Sequence, residues 1–189
     1  EKLMEDERPR AALSHIAALE NEMQRTQMSQ LWRAQALRKI GHLDVARVIF
    51  SDLRDGCVAA EANRGLGLVE GEKGNWVEAE RALREANRLD PISPRIHNDL
   101  GYAQLKIGQT RRAIEHFQTA LELDPNRSRS ANNLVLALLL ADKQVEAREL
   151  SRRLGLSDDH WTALINQAGG WRVTQRPNAS PDPKATVAP

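Results

Sequence analysis

Five histidines, one cysteine and 26 acidic side chains are the groups in this 189-residue chain that could hold a metal or move a proton. Their spacing argues against both. His15, His42, His97, His116 and His160 form no H-E-x-x-H or comparable pair, and each reads as a surface or packing histidine. Glu70 and Glu72 read as solvated helix surface rather than as an acid/base pair. The glycine-rich "GLGLVEG" at 65–71 lies inside a helical run, whereas a phosphate loop needs a strand before it. No G-x-S-x-G occurs. Cys57 has no disulfide partner and is expected as a small buried hydrophobe. The residues predict no enzyme, no metal and no cofactor. The chemistry that does recur is recognition: Arg95 and Arg129, like Asn98 and Asn132, stand 34 residues apart. A guanidinium forks onto carboxylates, and an amide both donates to and accepts from a peptide backbone.

That interval runs through the chain. Residues 60–93 laid on 94–127 match at Leu66/Leu100, Gly67/Gly101, Gly74/Gly108, Ala79/Ala113, Ala86/Ala120, Leu89/Leu123, Asp90/Asp124 and Pro91/Pro125, with Leu83 opposite Phe117. Each pair has a physical task. Gly67 and Gly101 admit close approach of a second helix. Gly74 and Gly108 end the first helix in a left-handed turn. Ala79, Leu83 and Ala86 share one face of the second helix, and proline forbids its continuation. Ser93 before Pro94 marks the next helix start. A looser copy at 128–161 keeps Leu134 and Ala147 but has Val135 and Asp142 where the glycines stood. An upstream copy, around "IGHLDVARVIF" (40–50), is one residue short.

A 34-residue helical hairpin with Leu-Gly in its first helix, a turn glycine, Ala and Phe in its second and a closing Pro resembles the tetratricopeptide repeat. The resemblance implies an all-α solenoid of antiparallel helix pairs with a C-terminal capping helix. The expected organisation is an N-terminal helical segment (1–25), a degenerate repeat (26–59), two regular repeats (60–93 and 94–127), a second degenerate repeat (128–156) and a capping helix (157–171). Helices are expected at about 10–24, 29–40, 43–54, 58–71, 75–88, 94–107, 110–123, 128–140, 143–153 and 157–168, although 10–40 has no Gly or Pro break and could be one helix. Gly169-Gly170 should stop the cap. Residues 172–189, rich in Pro, Ala, Ser and Thr, are expected to be disordered.

Stacked hairpins curve, and their first helices line the concave side. There Arg64, Arg95, Asn98, Arg129 and Asn132 form one edge of a trough. Leu68, Tyr102 and Leu136, with Leu105, Leu139 and Lys106, form its floor. Such a surface suits an amphipathic peptide, each buried Leu- or Phe-type anchor contributing about 1.5–3 kcal/mol. The competing reading is that residues 157–171 or the N-terminal helix fold back over the leucines. The dicarboxylate clamp of co-chaperone repeat domains is not matched, because Leu68 and Asp99 stand among its aligned positions.

A net charge of +1, from 27 basic and 26 acidic residues, removes the electrostatic case for nucleic acid. The longest apolar run, "LVLALLLA" (134–141), is far short of the ~18 residues a membrane span needs. The stretch 97–150, with "NDLGYA", "LELDP" and "ANNLVLALLLA", resembles the TadD-type lipoproteins of tight-adherence (Flp) pilus assembly. That resemblance implies a periplasmic protein at the outer membrane, assisting a pilus secretin as pilotins do, with a segment of the secretin or another pilus component as partner. A start at Glu1 is expected to follow removal of an N-terminal segment, and a membrane link would come only through a lipid anchor outside these residues. A cytoplasmic location is the alternative. The function expected is a non-enzymatic adaptor holding a peptide segment in the trough; the alternative is a scaffold self-associating through its N-terminal helices or convex face.

Overall fold

A computed structural model describes residues 8–22, 24–126 and 128–175, with side chains as far as Trp171. These residues form ten helices and no strand: α1 (Pro9–Glu22), α2 (Gln27–Lys39), α3 (Leu43–Asp52), α4 (Ala59–Glu72), α5 (Trp76–Leu89), α6 (Pro94–Lys106), α7 (Thr110–Leu123), α8 (Ser128–Leu140), α9 (Gln144–Arg153) and α10 (Asp158–Gln175). From α1 to α9 each packs on its neighbours in sequence, α10 packs on α8, and α2, α4, α6 and α8 also touch one another in order. The all-α repeat solenoid expected from the 34-residue period is the fold observed.

Four hairpins share one turn. Gly41, Gly74 and Gly108 have φ of 86°, 85° and 80°. After each, the next amide reaches back to a carbonyl of the first helix: His42 N to Leu37 O at 2.9 Å, Asn75 N to Glu70 O at 2.8 Å and Gln109 N to Gln104 O at 2.8 Å. This wrap satisfies carbonyls that the helix end leaves open. Asp142, which stands where the turn glycine stood, makes it as well, with φ of 60° and Lys143 N to Leu138 O at 2.9 Å. Aspartate is one of the few residues with a Cβ that tolerates this conformation.

Three boundaries needed more than periodicity. Helices α1 and α2 are separate, because Thr26 Oγ1 accepts from Ser29 N at 3.0 Å while Thr26 N donates to Ser29 Oγ at 3.2 Å, a reciprocal cap that starts α2. Ser93 occupies the cap position before Pro94 but makes no side-chain cap bond, leaving proline's preset φ to begin α6. Gly169-Gly170 do not stop α10, which runs on to Gln175. The helix therefore takes in residues 172–175 of the expected disordered tail; 176–189 lie outside the described residues.

Hairpins close by pairing a small residue with a large one. A Cβ on Gly101 would stand 2.9 Å from Phe117 Cε1 and 3.2 Å from the Ala113 carbonyl, and one on Gly67 would stand 2.4 Å from Leu83 Cγ. The first repeat keeps the order with Ala34 and Phe50, both fully buried. The last reverses it. Val135 takes the glycine position and Ser151 the phenylalanine position, both buried, so the volume moves from one helix to the other. The exchange leaves Ser151 Oγ enclosed without a hydrogen-bond partner.

Two expectations are corrected at this level. Cys57 is exposed in the α3–α4 connection, where its N–H and Sγ both meet Gln27 Oε1, at 2.9 and 3.0 Å. Glu70 is not solvated surface. It is buried, accepting from Arg47 Nε at 2.6 Å and Asn75 Nδ2 at 2.8 Å. Burial opposes its charge, but these bonds outweigh it and hold the carboxyl below its usual range.

Two substitutions test this packing. Phe117→Ala, at a side chain with no exposure, should cost about 3–5 kcal/mol in urea unfolding, and a loss under ~1 kcal/mol would refute the paired register. Ser151→Ala removes a buried hydroxyl with no partner and should raise stability by up to ~1 kcal/mol. A destabilised alanine variant would show that the hydroxyl is satisfied.

Candidate peptide-binding trough

The concave wall is built by α2, α4, α6 and α8, and a hydrogen-bonded chain ties three of these together. Arg64 NH1 donates to Glu61 Oε2 at 3.1 Å, and Arg64 Nε reaches across to Asp99 Oδ2 on α6 at 2.7 Å. Asn98 Nδ2 donates to Asp99 Oδ1 at 3.2 Å. Asn98 Oδ1 then accepts from Asn133 Nδ2 at 2.9 Å and Ser130 Oγ at 3.3 Å on α8. Arg64 and Asn98, expected as a free recognition edge, are therefore committed to holding neighbouring repeats in register. Burial opposes the Arg64 charge, while Asp99 and Glu61 more than offset it and raise its pKa.

The floor divides into two parts. Toward the N-terminal side, Leu68, Trp76, Leu83, Tyr102, Arg129 and Asn133 enclose a mostly apolar pocket of about 420 Å³. Beside it, Arg64, Arg95 and Arg129 line a polar recess of about 370 Å³. Arg95 and Arg129 are exposed. Asn132 is half-buried, and its Oδ1 has no hydrogen-bond partner.

Toward the C-terminal side the floor is covered. Leu105, Leu136 and Leu139, expected to face a ligand, are buried at 1%, 1% and 6% exposure in the core that also takes in Leu164 and Ala168 of α10. The physical reason is hydrophobic. α8 is apolar nearly all round, and α10 removes from water the face that no following hairpin covers. Beyond that face, Trp171 of α10 meets Tyr102 edge-on, with ring centroids 6.0 Å apart, and Tyr102 meets Trp76 in the same manner at 5.7 Å. Lys106 Nζ lies 4.4 Å from the Trp171 centroid, 5.1 Å from that of Trp76 and 5.9 Å from that of Tyr102, all within cation–π reach. Burial pushes the Tyr102 hydroxyl pKa up.

Of the residues chosen from sequence, Leu68, Asn98, Tyr102 and Arg129 share the open pocket, Arg64 and Arg95 line its polar neighbour and Lys106 sits among the three rings. Sequence reasoning missed Trp76, Asn133 and Trp171. Trp76 follows the turn rather than sitting on a first helix, and Trp171 follows two glycines expected to end the fold. The signal that could have found them is composition: two of four tryptophans in a chain with 4% aromatics stand at such breaks.

A second polar cluster lies where α5, α6 and α7 meet. His97 Nε2 is 2.9 Å from the Pro91 carbonyl, so it carries the proton, and His97 Nδ1 must then accept from His116 Nδ1, also at 2.9 Å. Burial first, and the neighbouring His97 second, push His116 below the usual histidine pKa. Among the described residues no group of three or more His, Cys, Asp or Glu side chains could hold a metal ion, and no helix is long and apolar enough to cross a membrane.

The Tetratricopeptide repeat family model matches residues 94–127. That stretch is a tetratricopeptide repeat, and the hairpins on either side of it share its fold. The chain is 39% identical over 158 residues to the TPR repeat-containing protein PA4299 of Pseudomonas aeruginosa, covering 82% of this chain but 64% of that protein's length. Among solved structures, YrrB, a TPR protein with an unusual peptide-binding site, superposes with a TM-score of 0.66 at 19% identity over 85% of each chain. At that identity the likeness is one of fold. A mutant of the Thermobaculum terrenum O-GlcNAc transferase matches with a TM-score of 0.59 at 28% identity, over 67% of this chain and 26% of that one.

The histidine pair sets a pH test. Because folding lowers the His116 pKa, its contribution is complete above the unfolded value of about 6.5 and is lost as pH falls through the folded value. His116→Gln should therefore lose less stability than the parent between pH 7.5 and 5 in urea titrations. An identical loss would show that the pair titrates as it does unfolded.

Proposed function

We propose that this chain is a non-enzymatic adaptor that holds a peptide segment of another protein in its concave trough. The observation that carries this reading is the open pocket between Leu68, Trp76 and Tyr102, an apolar slot also lined by the exposed Arg129 and the amide of Asn133. The slot is large enough for one aromatic or aliphatic side chain. Arg95 and Arg129 can meet a carboxylate or backbone carbonyls on the flanking peptide. Tetratricopeptide architecture supports protein or peptide binding, and YrrB is described by its peptide-binding site.

The partner class we propose is a component of a pilus or secretion assembly, a segment of an outer-membrane secretin first among them. The basis is the resemblance of residues 97–150 to TadD-type proteins. With that partner goes a periplasmic location beside the outer membrane, reached through a lipid anchor outside these residues; the alternative is the cytoplasm. A scaffold reading has its own support in Val45, Val48, Val77 and Val145, all more than half exposed on second helices of the hairpins. Sedimentation separates the two, since a concentration-dependent oligomer with an inert pocket favours the scaffold.

The pocket is tested with Leu68→Glu combined with Arg129→Glu. Pull-down from membrane extracts should recover a pilus or secretion component with the parent chain. The double variant, still helical by circular dichroism, should bind it at least tenfold more weakly, about 1.4 kcal/mol. Undiminished capture by the double variant would remove the pocket from the account.

A further inference from the structure

The concave trough already holds a helix. Trp161, Leu164, Ala168 and Trp171 form the inward stripe of α10; Leu164 and Ala168 are buried with Leu136 and Leu139, and both tryptophans pack against the same core. The stripe ends at Trp171, whose ring completes the enclosure of Lys106 by Trp76 and Tyr102. Trp76 and Tyr102 also wall the open pocket, so the seat of Trp171 and that pocket are continuous.

The turn that carries Trp171 is weakly built. Gly169 and Gly170 are exposed, and a Cβ at either would meet nothing within 4 Å. No close approach requires these glycines, unlike Gly67 and Gly101. Two glycines inside a helix without a packing role lower the cost of unwinding it just ahead of its aromatic anchor.

We propose that α10 is a resident ligand of the trough, and that a partner helix replaces its last turn by setting an aromatic side chain of its own against Lys106, Trp76 and Tyr102. The proposal rests on the trough being a peptide site. It adds the partner's chemistry: a helix with an aromatic residue at its end, the rest of its length lying along the open pocket beside Leu68. Lys106 selects the ring, because an ammonium flanked by two aromatic faces is best covered by a third and disfavours an approaching cation. Binding is thereby coupled to release of residues 171–175.

The probe is a fluorescein-labelled peptide of residues 157–175 of this chain, titrated by anisotropy into the full chain. The parent should bind it weakly, because its own Trp171 holds the seat. Full-length Trp171→Ala should bind at least tenfold more tightly, and a peptide carrying alanine for the same tryptophan should lose that gain. Equal affinity for parent and variant, or no binding by a variant whose circular dichroism matches the parent, overturns the proposal. Hydrogen exchange reads the same claim without the substitution at the seat. Amides 171–175 should exchange faster than those of α8, and Gly169→Ala with Gly170→Ala should slow them; protection equal to that of α8 overturns the proposal. A protein partner lost on Leu68→Glu but indifferent to Trp171→Ala also sinks it, while leaving the adaptor reading intact. The reverse pattern removes the Leu68 pocket from the adaptor reading and leaves the proposal standing.

Discussion

Two helices of a hairpin can approach closely only where a small residue faces a large one, and the two regular repeats meet that condition at Gly67–Leu83 and Gly101–Phe117. In the first repeat Ala34 and Phe50 hold the matching positions, both fully buried, and Phe50 also meets Gly65 of α4. In the last repeat the order inverts as Val135 and Ser151. The volume at the contact is conserved while the residue types are not, as close packing requires. The curvature of the stack, and so the existence of a concave wall, follows from repeating this one contact.

Along that wall the polar side chains have two different employments. Glu61, Arg64, Asp99, Asn98, Asn133 and Ser130 form a continuous chain across α4, α6 and α8. Partly buried polar groups of this kind favour one register because a shifted stack would leave them unpaired. Arg95 and Arg129 stand beside that chain, exposed, on the lining of the polar recess. The same residue types thus act as structural ties at one place on the wall and are left exposed at another. Which role each takes depends on whether a partner lies across the gap to the next helix.

The C-terminal end follows from the one-dimensional build of the solenoid. A last hairpin has no successor, and α8 presents Leu136 and Leu139 where a successor would lie. Helix α10 resolves this by entering the concave side, so the cap and the trough compete for one surface. Its aromatic end reaches α6, which joins the energetics of the cap to the part of the trough that stays open.

Period, hairpin boundaries and core were legible in the residues because they depend on local rules: a turn glycine, a proline stop, and a small-to-large pairing repeated every 34 positions. Leu68, Tyr102 and Arg129 could be placed on the open wall by their repeat positions alone. What needed the tertiary structure was everything settled by a neighbour distant in sequence. Asp142 keeps a left-handed turn, Arg64 is taken by Asp99, the two glycines fail to end α10, and Leu105, Leu136 and Leu139 are covered rather than offered. Periodicity reports which side of a helix a residue occupies. It cannot report whether another segment of the chain has already reached that side, because that choice is made by burial summed over the whole stack.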